Sequence, residues 1–474
     1  MDTAKILYPS RALSCFWQLI LSKQANERLI WVMIVPDDEG INLSRTAKSK
    51  NTSLQSADHE VPGMRAESLR NHNLQLLTYR IITGSEVMSR ADLAHETGLN
   101  RSTVTRLIEH LLDFGIIREG STRVGPSGRP SIMLTPARRT HGGIGAEVGR
   151  DYISACVMDL RGNIIAEQFD QVDVPAYSPQ STLGKLATMV NELTSQIQHS
   201  GLSLCGITCG FSGIISSSTS NLHMSPHLGW RNIDLEKHFR SKLHIEVPVD
   251  YQNTANLSAL AESIARQKTG HELSDFIFIS QNSAIGSALV LDGKVSSGLH
   301  GWAGEIAHIA VSDEDKPCDC GAVGCLDAYI DKANLLERAG LPANAPWEQL
   351  FASLHKGNAQ VTETVRLCGR YLGRALSTYI NLVDVTTIVL GGVLKKLLPY
   401  YEDALRDELT RRALCSNWME IDLQESIVKE GSSLQGAAWN SLLRFLSAPE
   451  SWQRPTDIAL SYFPVDETPT TFID

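Results

Sequence analysis

Four side chains that commonly bind metal fall within eighteen residues of this chain: His308, Cys318, Cys320 and Cys325. Three thiolates and one imidazole complete a tetrahedral zinc shell, and soft sulfur donors favour zinc over cations that prefer oxygen. Gly321 and Gly324 sit among them, where a chain turning tightly around a small ion needs residues that tolerate positive φ. The spacing, H-x9-C-x-C-x4-C, has no second CxxC pair and no HxxxH, so it is not that of a zinc finger. The plainer alternative is three unrelated buried thiols beside a core histidine. Clustering this tight, in a chain without a disulfide pattern, favours metal. Zinc is therefore the expected cofactor.

The surrounding stretch, GLHGWAGEIAHIAVSDEDKPCDCGAVGCLD from Gly298 to Asp327, resembles the signature of the ROK family of sugar kinases and repressors. That signature runs G-x-x-G-x-x-G-E-x-G-H, then C-x-C-G-x-x-G-C-x-E. Here Gly298, Gly301, Gly304, Glu305 and His308 stand in frame, followed by Cys318, Cys320, Gly321, Gly324 and Cys325. Two positions depart, Ala307 for glycine and Asp327 for glutamate, and neither is one of the four metal ligands. The resemblance implies a two-lobed, actin-like (ribonuclease-H-like) α/β body with a zinc-stabilised loop. It also implies a sugar cleft lined by Gly213, Asn253, Glu305, His308 and Asp327, with His308 holding zinc through one ring nitrogen and facing the sugar with the other.

A chain of 474 residues exceeds a single core, so two to four domains are expected. Nine cysteines, most of them scattered, argue against a disulfide scaffold and for a reducing compartment. Leu29 to Val35 is far shorter than the ~20 residues a membrane helix needs, and no clean signal peptide is legible. A cytoplasmic protein is expected. Charge is unevenly spread. Residues 64–140 carry eleven Arg and no Lys against seven acids, whereas residues from 141 onward are strongly acidic. An arginine-rich module on an acidic body points to a module that meets an anionic polymer.

Within that module, SRADLAHETGLNRSTVTRLIEHLLDFGII predicts a helix capped by Ser89, a turn at Gly98 and a second helix capped by Asn100. Val104, Leu107, Ile108, Leu111 and Leu112 form its inward face. Arg101, Ser102, Thr103, Thr105 and Arg106 fall on its outward or leading face, where arginines and short hydroxyls suit base edges and phosphates. Strands near Gly115–Arg118 and Ser131–Leu134 would flank a wing carrying Arg123 and Arg129. This reads as a winged helix-turn-helix; the bland alternative is a helical hairpin with a solvated face. The expected divisions are a poorly structured extension over 1–63, the winged module over 64–140, a first lobe over 141–252, a second lobe over 253–448 with the metal site and a returning C-terminal helix, and a tail over 449–474. Met64 begins MRAESLRNHN, which resembles the start of ROK repressors. A natural start there and a genuine extension both remain open.

ROK kinases move phosphate from ATP to a sugar, and the resemblance allows three of their devices to be checked. The loop resembling D-x-G-G-T reads Glu147-Val148-Gly149-Arg150-Asp151, without its second glycine and its threonine. The N-D-x-N frame that holds the general base reads Asn253-Thr254-Ala255-Asn256. Threonine does not accept a proton near neutral pH, and losing a positioned base costs roughly 10²–10⁴-fold. The loop G-T-G-I-G reads Asn282-Ser283-Ala284-Ile285-Gly286. Thr254 also removes a negative charge, so a sugar phosphate would be tolerated. The expectation is a non-enzymatic, sugar-responsive DNA-binding regulator, a repressor of carbohydrate genes. Its partners would be operator DNA and a sugar or sugar-phosphate effector, with no membrane, in a homodimer or homotetramer. The rivals are an ATP-dependent sugar kinase with an appended DNA-binding module, and a DNA-binding protein whose zinc body only dimerises.

Overall fold

The computed structural model describes residues 16–19, 31–34, 66–124, 130–197, 200–271, 273–282, 284–429, 431–452 and 454. Among the first 63 residues, β1 (Phe16–Leu19) and β2 (Trp31–Ile34) pair antiparallel, with Phe16 opposite Ile34. This short ladder is local structure within a stretch expected to have little, and it falls on its aromatic and β-branched residues. The rest of that stretch lies outside the described residues.

From residue 66 the chain first builds three helices and a small sheet. α1 (Ala66–Thr83) precedes the two-residue strand β3 (Met88–Ser89), then α2 (Arg90–Thr97) and α3 (Arg101–Asp113). β4 (Ile117–Val124) and β5 (Pro130–Pro136) complete an antiparallel sheet of order β3-β5-β4. The caps follow the sequence. Ser89 accepts from the Asp92 N–H at 3.3 Å while the Asp92 carboxylate accepts from Ser89 N–H at 2.9 Å, a complete capping box. Gly98 ends α2 at φ 69°, and Asn100 accepts from the Thr103 N–H at 2.8 Å to start α3. Val104, Leu107, Ile108 and Leu111 are buried with Leu74 and Leu77 of α1. β4 runs six residues further than the strand expected at Gly115–Arg118, through a bulge between Glu119 and Thr122.

Two five-stranded sheets follow, each with helices. The first contains β6 (His141–Val148), β7 (Tyr152–Asp159) and β8 (Ile164–Gln171); α4 (Pro179–Ile197) leads to β9 (Ser203–Phe211). A side sheet of β10 (Ile214–Ile215), β11 (Asn221–Ser225) and β12 (Trp230–Asp234) comes next, then α5 (Leu235–Phe239) and β13 (Val249–Asn253). α6 (Thr254–Thr269) leads to β14 (Phe276–Gln281), β15 (Ile285–Leu291) and β16 (Lys294–Ser296). Beyond the stretch from His308 to Cys325 come α7 (Leu326–Ile330), α8 (Lys332–Arg338), α9 (Trp347–His355) and α10 (Ala359–Val383). β17 (Thr387–Gly391), α11 (Gly392–Arg412), β18 (Asp422–Glu425) and α12 (Ser432–Leu446) finish the body.

The sheet orders are β13-β9-β6-β7-β8 and β16-β15-β14-β17-β18. Each is one antiparallel three-strand meander extended by two parallel strands, so the two sheets repeat one topology. That repeat is invisible as sequence periodicity. α12 returns to the first sheet, and a Cβ at Gly145 would lie 2.3 Å from the Leu434 carbonyl, so strand and helix touch backbone to backbone.

The far end of α12 packs into the core of the N-terminal helices. Leu442, Leu446 and Trp452 share one buried cluster with Leu107 and Leu111. Trp452, in the stretch expected to be a loose tail, is 6% exposed. Its ring centroid lies 6.0 Å from that of His110 and 6.3 Å from that of Phe114, and its Nε1 donates to the Phe445 carbonyl at 2.9 Å. A lone tryptophan in a polar setting gives no periodic signal, which is why the expected tail boundary fails at its start. Residues 455–474 lie outside the described residues. Trp452→Ala is expected to cost roughly 3–5 kcal/mol, the usual price for a buried large aromatic. Differential scanning calorimetry should show the transition involving α1–α3 moving to lower temperature.

Candidate functional site

After β16 the chain crosses Gly298, Gly301 and Gly304, then makes a single 3-10 turn over Ile306–His308. Gly304 has φ 94°, and a Cβ there would stand 3.0 Å from the Ser287 carbonyl, so glycine is needed for both conformation and space. The ligand atoms of His308, Cys318, Cys320 and Cys325 all lie within 4.8 Å of one another. Cys318 Sγ is 3.8 Å from His308 Nδ1, and Cys320 Sγ is 3.8 Å from Cys325 Sγ. A tetrahedral ion with Zn–S bonds of about 2.3 Å sets its sulfurs about 3.8 Å apart. The Cys320–Cys325 separation matches that spacing, and the four side chains together could hold a metal ion. Three of the four fall within the eight residues Cys318–Cys325, where the Pro317–Val323 bridge encloses Cys318 and Cys320 and Cys325 is bridged to Ala310.

A cleft of about 1110 Å³ opens beside this cluster. Four of the five expected sugar-contact residues, Gly213, Asn253, Glu305 and His308, line it together. Asn253 donates from Nδ2 to the Gly213 carbonyl at 3.0 Å and accepts from the Ala255 N–H at 2.7 Å, starting α6 and fixing the loop after β9 in one contact set. Burial, then the charge of Asp327, pushes the Glu305 carboxyl up to about 7.

Asp327 does not line the cleft. It is 5% exposed and stands behind His227, whose Nε2 lies 3.5 Å from Asp327 Oδ2. Its Oδ1 has no hydrogen-bond partner among the described residues. His227 does line the cleft. Burial works against its charged form, but the hydrogen bond and charge of Asp327, with Asp331 beyond, raise its pKa. Nothing in S-P-H-L-G-W, the run from Ser225 to Trp230, singles out the histidine.

The positions that align with the kinase devices make local contacts. A Cβ at Gly149 would sit 2.3 Å from the Tyr152 ring, so that ring covers the first loop. Tyr152 and Ser433 both donate to Glu147 Oε1, at 2.9 and 2.8 Å, and Arg150 donates to the His227 carbonyl at 2.7 Å. Thr254 opens α6 at the cleft wall. Glu262, the nearest carboxylate along that helix, is fully buried and taken up by Arg266 at 2.7 Å, Ser426 at 2.7 Å and the Val428 N–H at 3.3 Å. In the second loop Gly286 packs against Ala255, and Ser283 lies outside the described residues.

On α3, Arg101, Ser102, Thr105 and Arg106 are exposed and Thr103 is half-buried. Two hydroxyls make local bonds, Ser102 to Asn100 Oδ1 at 2.8 Å and Thr105 to the Arg101 carbonyl at 2.9 Å. Arg123 is exposed on β4, opposite Ser131; Arg129 lies outside the described residues. Among the described residues no helix is long and apolar enough to cross a membrane.

The ROK family model matches residues 143–442. The xylose repressor of Bacillus subtilis (strain 168) is 27% identical over 341 residues, 72% of this chain and 87% of that protein. The DNA-binding transcriptional dual regulator NagC of Escherichia coli (strain K12) is 23% identical over 345 residues, 70% of this chain and 84% of that one. Among solved structures, a ROK family transcriptional regulator homologous to the E. coli MLC protein matches with TM-score 0.67 at 23% identity, over 81% of this chain and 98% of its own. A ROK family glucokinase from Streptomyces griseus, complexed with glucose and AMPPNP, matches with TM-score 0.53 at 20% identity, over 63% and 98%. The two structural likenesses establish a shared mixed α/β fold.

Proposed function

The chain belongs to the ROK family, and on that premise we propose that it is a sugar-responsive transcriptional repressor rather than a kinase. One observation carries the reading: a capped helix with exposed arginines at its start is attached to a body whose sugar-side residues converge while the general-base position is a threonine. α1–α3 with β4 and β5 act as a winged helix-turn-helix, α3 entering the major groove and Arg123 reaching toward the minor groove. Homologues named xylose repressor and NagC support a regulatory role. The regulator structure shares the fold over 81% of the chain against 63% for the glucokinase, which is consistent with a regulator's extra N-terminal module.

His308, Cys318, Cys320 and Cys325 would hold zinc, and zinc would supply a rigid anchor for the loop. With Nδ1 turned to the sulfurs, the other face of the His308 ring is left for an effector hydroxyl. Glu305 and Asn253 offer bidentate partners for further hydroxyls, and burial makes an unmatched partner costly. The effector is a sugar or sugar phosphate that favours the closed cleft, shifting a two-state equilibrium by its differential affinity. α12 couples the ends. Its first turn is bonded to Glu147 at the cleft through Ser433, and just past its last turn the Ser447 carbonyl accepts from Gln75 of α1 at 2.5 Å. A homodimer would align two winged modules on a two-fold operator.

Fluorescence anisotropy of a labelled duplex from the protein's own promoter region, titrated with a sugar panel, tests the regulator. The rival kinase shares the glucokinase fold; a coupled assay for ATP turnover with the same panel tests it. Turnover at ordinary enzymatic speed would overturn the non-enzymatic reading.

A further inference from the structure

The cleft continues past the sugar-side residues to a wall in the second lobe that the sensing scheme leaves unused. Trp347, Phe351 and His355 of α9 and Val393, Pro399 and Tyr400 of α11 line it. This wall is ordered by its own contacts. Trp347 donates from Nε1 to the Asn282 carbonyl at 3.3 Å, and the Lys332 ammonium stands 5.7 Å from its ring centroid. The His355 and Tyr400 rings meet edge to face, centroids 6.5 Å apart. The whole cleft, about 1110 Å³, exceeds the roughly 300–1,000 Å³ that buries a drug-sized ligand. A single sugar ring is much smaller than that.

Between the two halves, the first loop and the general-base position depart from those of the ROK kinases, and Ser283 of the second loop lies outside the described residues. The Tyr152 ring covers Gly149, and a carboxyl group, Glu147, occupies the position between Tyr152 and Ser433. Thr254 puts a small neutral side chain at the junction. What remains is an aromatic surface with cationic and imidazole donors at hand, suited to the apolar face and hydroxyl edge of a carbohydrate ring.

We propose that this wall receives a second glycosyl ring, so that the effector is a disaccharide and not a free monosaccharide. The first ring occupies the Asn253–Glu305–His308 end, and the second lies against Trp347 and its aromatic neighbours. This rests on the sugar-sensing reading above, and the test separates the two.

The experiment is isothermal titration calorimetry on the full-length, zinc-loaded protein. The probes are xylose, glucose and N-acetylglucosamine, their disaccharides xylobiose, cellobiose, maltose, gentiobiose and diacetylchitobiose, glucose 6-phosphate, and AMPPNP. At least one disaccharide is expected to bind about tenfold or more tightly than its monosaccharide, the scale of one aromatic contact. Trp347→Ala should reduce that ratio to near one without changing monosaccharide affinity, and Trp347→Phe should keep most of it. Monosaccharides binding as tightly as every disaccharide would overturn the proposal and leave sugar sensing standing. So would AMPPNP or glucose 6-phosphate binding more tightly than any disaccharide, or a Trp347→Ala variant with an unchanged ratio. If no sugar of either size binds, the sensing reading fails and this proposal with it.

Discussion

Removing zinc should lower the melting temperature of the protein on the order of 10 °C and abolish its response to effector. In the loop from Cys318 to Cys325, Gly321, Ala322 and Val323 are exposed, and the packing onto the core comes from the cysteines themselves. Three thiols would be left in mutual contact with no cation to justify their clustering. Structural zinc contributes about 10–16 kcal/mol in small zinc-folded peptides. A loop anchored at both ends recovers a fraction of that, and each kcal/mol moves the transition by roughly 2–4 °C in domains of some 200 residues. The effector response goes further than stability. His308 belongs to the proposed zinc shell and lines the cleft, so its ring should lose its fixed orientation when the ion leaves, and comparable losses of metal-site support cost about 10–100-fold. Cys325→Ser should reproduce both effects in the presence of zinc. Cys415→Ser, at a half-buried thiol outside the cluster, should reproduce neither. Zinc-free protein, checked by elemental analysis, that melts and responds like the zinc-loaded protein would refute the assignment.

Replacing Arg101 and Arg106 together by alanine should weaken operator binding by roughly 10²–10⁴-fold, because each arginine contact to a base or phosphate is worth about 1–3 kcal/mol. Both side chains are exposed, and the buried face of α3, Val104 to Leu111, is untouched. The melting temperature should therefore stay within about 2 °C, since surface substitutions generally change stability by under about 0.5 kcal/mol. Anisotropy titrations at several salt concentrations separate the roles. A phosphate-contacting arginine lowers the salt slope by about one when removed, whereas a base-contacting one relaxes sequence preference. Unchanged operator affinity in the double variant would remove α3 as the recognition helix.

The parts legible in the sequence are those whose physical cause is local. Ser89, Gly98 and Asn100 announce α2 and α3 because a cap is a bond between residues three apart. The His/Cys cluster is legible because three of its four side chains share one short loop. What escaped depends on distance in the fold. Asp327 carries the right chemistry at the right spacing, yet α7 buries it behind His227, and no local rule says which of two residues from different lobes faces the cleft. A glycine pair after a strand ordinarily marks a turn, whereas Gly392 opens the 21-residue α11, which runs through Pro399. Trp452 becomes a core residue because the N-terminal helices offer it a surface. The matching topologies of the two sheets leave no trace in residue identity at all.

The central claim is that this body keeps a carbohydrate grip and converts it into control of DNA binding. It is tested most directly by measuring the affinity of the full-length, zinc-loaded protein for a duplex from its own promoter region, with and without saturating sugar from the panel. The account predicts specific, salt-sensitive binding that weakens at least about tenfold when the effector is present, a coupling within the usual range of about 1–3 kcal/mol. Affinity for the duplex that no sugar alters, or no preference for that duplex over unrelated DNA, would contradict it.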